Sequence, residues 1–152
     1  MRKIIAIFLP HQGCPHRCAF CHQPHITGVS ATATLTPDDA RRQIECALAE
    51  PKSRSKGATF EAAFYGGAFT GLPLPTQAQL LQTVQPYVAR GDLCGIRLST
   101  HPAMLNDDIL ALLAAHSVTT VAKLCKRRPP PRHPPVVGRS GFAPLSALRR
   151  LP

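Results

Sequence analysis

The distribution of apolar residues along the first 121 positions predicts short strands that alternate with helices. The first strand is predicted over residues 3–9, where the continuous apolar run of residues 4–9 is rich in β-branched side chains and typical of a parallel strand buried on both faces. Further strands are predicted over residues 59–65, 95–100 and 118–121.

The helices predicted between these strands carry local start signals. Thr36 is an N-cap residue followed by proline, which predicts a helix to residue 49. A second helix is predicted over residues 75–89, and a third begins after the cap residue Asn106 and ends near residue 115. The β-α-β-α-β-α-β order indicates an α/β fold with a parallel sheet and helical crossovers.

Functional sites of such folds lie at the carboxyl ends of the strands. Here, segments of unusual composition follow three of the predicted strands, at residues 10–27, 66–72 and 99–102. We therefore expect the chemistry of this protein to lie where these segments meet.

The first segment contains a tight group of cysteines. Cys14, Cys18 and Cys21 fall within eight residues, and the other cysteines are scattered at Cys46, Cys94 and Cys125. This spacing favours a metal site with bystander thiols in a reducing compartment over a disulfide framework. Three thiolates can hold an iron–sulfur cluster, and on a four-iron cube they leave one iron open.

A structural zinc site is the alternative for these thiolates. Its fourth ligand would be a histidine of the same loop, from the set His11, His16, His22 and His25. Structural zinc sites usually pair two ligand groups across a longer gap, and the chain contains no second Cys-x2-Cys. The cluster is therefore the favoured interpretation.

The loop sequence GCPHRCAFC resembles the cluster loop of the radical S-adenosylmethionine (radical SAM) superfamily, whose motif is Cys-x3-Cys-x-aromatic-Cys. The resemblance implies that Cys14, Cys18 and Cys21 bind a [4Fe–4S] cluster and that Phe20 packs near the adenine of S-adenosylmethionine. It also implies reductive cleavage of that cofactor to a 5′-deoxyadenosyl radical, which abstracts hydrogen from a substrate.

The same resemblance implies the wider setting of the reaction. The fold would be the N-terminal part of a partial (β/α)6 TIM-like barrel, with three βα units and a fourth strand within residues 1–121. The enzyme would be an oxidoreductase or a transferase. Its electron donor would be a reduced flavodoxin or ferredoxin type of protein, and its unidentified substrate an RNA or a small molecule.

The second segment resembles the family's Gly-Gly-Glu-Pro stretch, whose backbone binds the methionyl amino end of the cofactor. The resemblance implies that cofactor binding in this chain involves the residues Gly66, Gly67, Ala68, Phe69 and Thr70. Ala68 stands where the family has an acid, so the hydrogen bonds are expected from backbone carbonyls or from Thr70. The alternative is a purely structural role, in which the two glycines form a tight turn after a strand.

The third segment resembles that of the elongator-protein-like and oxygen-independent coproporphyrinogen oxidase-like branch. There a polar residue at the end of the third strand faces the cofactor, which makes Ser99 the candidate here and Arg97 a weaker one. A strand end with solvent-facing polar residues is the alternative.

Positive charge is concentrated at the end of the chain. The net charge is +10, but residues 1–121 carry only +2, because ten basic residues oppose eight acidic ones. Residues 122–152 hold eight Lys and Arg, seven prolines and no acid, which predicts a disordered basic tail that leaves the fourth strand an uncovered edge. A reading-frame disruption near residue 122 or a gene fragment is favoured over a native tail.

Two other functions stay open on the sequence. One is a zinc-stabilised module whose tail binds nucleic acid or an acidic partner, and the other is an inactive truncated remnant. The apolar run near the N-terminus has six residues, too few for a signal peptide, which needs about 7–15, or for a membrane span, which needs about 20. The sequence therefore predicts a cytoplasmic protein without a membrane partner.

Overall fold

A computed structural model describes residues 2–9, 12–14, 34–50, 59–123 and 141–144. Four parallel strands lie side by side in chain order: β1 (Arg2–Phe8), β2 (Thr59–Tyr65), β3 (Leu93–Thr100) and β4 (Val118–Lys123). The crossover helices are α1 (Pro37–Ala49), α2 (Leu74–Ala89) and α3 (Asp107–Ala115). The predicted α/β fold is therefore confirmed.

The helix starts follow the local signals in the sequence. The Thr36 hydroxyl accepts a hydrogen bond from the Asp39 amide, and the Asp39 carboxylate accepts one from the Thr36 amide, which completes a capping box on α1. Hydrogen bonds from the Thr36 hydroxyl and amide hold the pKa of Asp39 below its ordinary value. Asn106 caps α3 through its side chain alone, because its side-chain oxygen accepts from the Ile109 amide at 2.8 Å.

A single hydrophobic core lies between the helices and one face of the sheet. Alternate residues of β1 and β2 point into this core, as the two-residue period of a strand requires. In β4 the core residues Val118 and Val121 are three positions apart, because the register of the β3–β4 pairing shifts between them. The largest fully buried side chains of the core are Ile7, Leu9, Ile44, Phe64, Phe69, Leu80, Leu81, Leu93, Ile96, Leu98 and Leu113. They come from the strands, from all three helices and from the turn after β2, so the helices cover the same face.

The other face of the sheet is open at β1. Ile4 and Phe8 are 49% and 42% exposed, and Ala6 between them is exposed too. The expectation that this strand is buried on both faces is therefore wrong. The reason is tertiary: β1 has a strand neighbour on one side only among the described residues, and the helices shield only the face that carries Ile5 and Ile7.

A buried ion pair lies on this second face, between β2 and β3. Arg97 donates to one carboxylate oxygen of Glu61 from Nη2 at 2.8 Å and from Nε at 3.0 Å. The Thr119 hydroxyl donates to the other oxygen at 2.8 Å. Thr119 reaches Glu61 because the register shifts at this point of the β3–β4 pairing and because Gly95 has no side chain to occupy the space taken by the Thr119 methyl.

The free side of β4 is covered by a short strand, β5 (Gly141–Pro144), which pairs with it antiparallel. The predicted disorder of residues 122–152 is therefore wrong for residues 122–123, which extend β4, and for residues 141–144. An unpaired edge presents backbone donors and acceptors that a further strand satisfies, and proline appears only at the last position of β5. The rest of this tail lies outside the described residues. Among the helices that are described, none has the length and apolarity to cross a membrane.

Candidate functional site

The loops after β1 and β2 contact each other at the carboxyl edge of the sheet. The Leu9 amide donates to the Tyr65 carbonyl at 2.6 Å, which extends the pairing of the two strands by one residue. The Ala68 amide then donates to the Gln12 carbonyl at 3.0 Å. Two of the segments predicted to meet, residues 10–27 and 66–72, therefore do so through their backbones.

Glycines make this approach possible. A Cβ atom on Gly67 would overlap the Gln12 carbonyl oxygen and lie 2.9 Å from the Leu9 carbonyl oxygen. A Cβ on Gly66 would lie 2.9 Å from the ring of Phe8, and Gly66 has a φ of +93°, which favours glycine. The space beside both glycines is thus occupied by the chain that leads into the cysteine loop.

A short 3-10 turn, Phe69–Gly71, completes the loop after β2 and joins it to β3. The Thr70 hydroxyl shares a hydrogen bond with the Thr100 hydroxyl at the end of β3. From the first turn of α2, Gln77 donates its side-chain amide to the carbonyls of Thr70 at 3.1 Å and Leu72 at 2.7 Å. Thr100 belongs to the third predicted segment, residues 99–102, which therefore lies at the same carboxyl edge of the sheet as the loop after β2.

The predicted metal ligands are described in part. Cys14 lies at this edge and is half-buried, whereas Cys18, Cys21 and the adenine-contact candidate Phe20 lie outside the described residues. Within the ranges that the structure describes, no group of three or more metal-ligating side chains forms. The predicted bystanders Cys46 and Cys94 are both exposed, one in α1 and one at the amino end of β3.

The side chains of the predicted cofactor segment, residues 66–70, are largely buried in the protein. The Phe69 side chain is fully buried and packs on Phe64 with ring centroids 4.9 Å apart. Its ring therefore belongs to the hydrophobic core and not to a ligand surface. Ala68 and Thr70 are buried as well, and the Thr70 hydroxyl is already bonded to Thr100. The described side-chain contacts of this segment are thus with the core and with the end of β3.

Ser99 and Arg97 lie on the face of the sheet away from the helices, because they alternate with the core residues Ile96 and Leu98. Ser99 is buried near the carboxyl end of β3. Arg97 precedes Ser99 by two residues on β3 and therefore lies further from the carboxyl edge of the sheet, where it forms the ion pair with Glu61. Glu61 was not predicted, although an acid inside an otherwise apolar strand is a signal for a buried partner.

A groove between α1 and α2 lies on the outer, helix-covered side of the molecule. The Tyr87 hydroxyl in this groove donates to Glu45 at 2.8 Å, and burial, with that hydrogen bond, raises the pKa of Tyr87. The two arginines of the groove are each paired: Arg41 with Asp38 and Arg90 with Asp92. The groove therefore offers a ligand the Glu45 carboxylate, bonded to the Tyr87 hydroxyl, beside two arginines that already have carboxylate partners.

Comparison of the chain with protein-family models, with curated proteins and with solved structures finds no match. The function is therefore argued from the residues and their geometry. The arrangement offers a half-buried thiol, Cys14, beside a segment of backbone amides and carbonyls, at the edge of a parallel sheet where ligands of α/β folds bind.

Proposed function

We propose that this chain is the N-terminal part of a radical SAM core, which binds a [4Fe–4S] cluster and S-adenosylmethionine at the carboxyl edge of its sheet. The observation that carries the proposal is the 3.0 Å hydrogen bond from the Ala68 amide to the Gln12 carbonyl, two residues before Cys14. The last cysteine of the motif, Cys21, and the first glycine of the segment, Gly66, are 45 residues apart in the sequence. Their contact is what a cluster and a cofactor bound to each other require.

The strand order supports a partial barrel as the fold of this core. In a doubly wound sheet the strand order reverses and helices cover both faces. Here the parallel strands follow in chain order and the helices cover one face, which is the arrangement of successive units in a (β/α) barrel. The second face, with Glu61 and Arg97, would then line the interior of the barrel.

The residues of the site fit the two groups as follows. Cys14, Cys18 and Cys21 would hold the cluster, which matches the preference of iron–sulfur clusters for thiolates. Phe20, Ser99 and residues 66–70, the last through backbone groups or the Thr70 hydroxyl, would hold the cofactor. When bound, the cluster and cofactor supply reductive cleavage to a 5′-deoxyadenosyl radical for hydrogen abstraction from an RNA or a small molecule.

Anaerobic reconstitution with iron and sulfide tests this proposal. We expect about four irons per chain and an EPR signal of the reduced protein that changes when S-adenosylmethionine is added. Cys14→Ala should abolish the cluster. Cys46→Ala is the matched control, because Cys46 is an exposed thiol on α1, and it should leave the iron content unchanged.

Two outcomes would contradict the proposal. Iron that binds equally to the wild type and Cys14→Ala would show adventitious binding. One tightly bound zinc per chain, with no iron, would favour the zinc-stabilised module instead. Salt-dependent binding of nucleic acid by the wild type would strengthen that second interpretation.

A further inference from the structure

We propose that Gly13 and Gly71 form a positioning contact that sets the distance between the cysteine loop and the cofactor segment, and that Gln77 holds this contact in place from α2. The inference rests on the proposed function and extends it to residues that bind neither iron nor cofactor. It starts from the steric requirements of the two glycines.

The two glycines occupy each other's side-chain space. A Cβ on Gly71 would overlap the Gly13 carbonyl oxygen and lie 2.8 Å from the Met104 sulfur. A Cβ on Gly13 would overlap the Ala68 carbonyl oxygen and lie 2.9 Å from the Leu72 nitrogen. Gly13 also has a φ of +70°, but Gly71 does not have a positive φ. Glycine at position 71 is therefore required by the contact and not by its own backbone conformation.

Two anchors prevent the turn that carries Gly71 from moving away. Gln77 is 1% exposed, and its side-chain amide bonds the carbonyls on either side of Gly71, those of Thr70 and Leu72. The Thr70 hydroxyl bonds Thr100 on β3. Because these groups are buried, water cannot replace the bonds, and the turn is held against both α2 and β3.

The contact ends at the first cysteine. Cys14 directly follows Gly13, so a displacement of Gly13 moves the Cys14 backbone relative to residues 66–70. Reactions between bound groups are sensitive to displacements of about 1 Å. A loosened contact would therefore leave all three thiolates in the chain, able to bind iron, but would misplace the cluster relative to the cofactor.

The test compares Gly71→Ala with Gly91→Ala. Gly91 follows α2 with a φ of +80°, and a Cβ there would meet no atom within 4 Å. Gly91→Ala thus strains the backbone without disturbing the loop contact, which makes it a control for general destabilisation. The first readout is hydrogen exchange of the Ala68 amide in the metal-free chain, because that amide bonds Gln12 across the contact.

We expect the Ala68 amide to exchange at least about tenfold faster in Gly71→Ala than in the wild type, with no change in Gly91→Ala. After reconstitution, Gly71→Ala should keep its iron but lose the EPR change that S-adenosylmethionine causes in the wild type and in Gly91→Ala. Gln77→Met, which keeps the length of the side chain and removes its donors, should shift both readouts in the same direction. It serves as the second variant if Gly71→Ala does not fold.

The outcomes separate this inference from the proposed function. Unchanged Ala68 exchange in both Gly71→Ala and Gln77→Met would overturn the positioning contact, whatever the metal content. An EPR response equal to that of the wild type in both variants would overturn its role in the site. Faster exchange in these variants, together with a wild type that binds no cluster, would support the contact and refute the proposed function.

Discussion

Replacement of Arg97 by methionine should destabilise the fold strongly, because it leaves a buried carboxylate without its cation. The Glu61 side chain is 1% exposed and that of Arg97 is 15% exposed, so water cannot replace the two hydrogen bonds that are lost. A charge-assisted hydrogen bond contributes about 1.5–3 kcal/mol to stability. Removal of one partner of a buried ion pair costs about 3–5 kcal/mol. We therefore expect Arg97→Met to lower the free energy of unfolding by about 3–5 kcal/mol.

Urea unfolding followed by far-UV circular dichroism measures this loss. With a urea dependence of about 2 kcal/mol per molar, a loss of 3–5 kcal/mol lowers the midpoint by about 1.5–2.5 M. The double variant Glu61→Leu/Arg97→Met should recover most of the loss, since it replaces both charges by apolar groups and leaves neither unpaired. If the double variant instead lost as much free energy of unfolding as Glu61→Leu and Arg97→Met lose together, this reasoning would be contradicted.

The surface pair of Arg41 and Asp38 provides the control. Their nitrogen and oxygen lie 2.9 Å apart, close to the distance in the buried pair, but the side chains are 53% and 74% exposed. Arg41→Met should therefore change the free energy of unfolding by at most about 1 kcal/mol. If Arg97→Met proved as mild as Arg41→Met, burial would not set the strength of the Glu61–Arg97 pair.

Two further predictions concern local elements. Thr36→Ala should lower the free energy of unfolding by about 1 kcal/mol, measured by urea titration, because it removes the hydroxyl of the α1 capping box. The pKa of Asp39 in the folded state is lowered from 3.8, so the ionised carboxylate stabilises the fold above pH 3.8, and this stabilisation is lost as the pH falls through the folded-state pKa. Thr36→Ala removes the hydroxyl that lowers this pKa. The variant should therefore lose less stability than the wild type on acidification below pH 3.8. Phe69→Ala should cost about 3–5 kcal/mol by the same titration, because its ring packs on Phe64 in the core, whereas Ile4→Ala on the exposed face should cost far less. Equal losses at positions 69 and 4 would contradict the assignment of the Phe69 ring to the core.

The candidate site was predictable from the sequence as a set of segments but not as a set of contacts. The cysteine spacing and the strand ends predicted that residues 10–27, 66–72 and 99–102 lie at one edge, and the bonds to Ala68 and Thr70 link them. The roles of individual side chains were harder to predict. Phe69 stands in a glycine-rich loop, yet its ring turns into the core, because the 3-10 turn directs it toward Phe64.

The sequence by itself determined the order of the strands β1 to β4 and of the helices between them, and the starts of α1 and α3, because caps and prolines act on neighbours a few residues away. Thr36 and Asn106 begin their helices through bonds to amides three residues on. Tertiary structure decided which faces are buried, that β5 covers β4, and why Gly71 must be glycine. These features depend on groups distant in the chain, and only the packing of strands and helices brings such groups together.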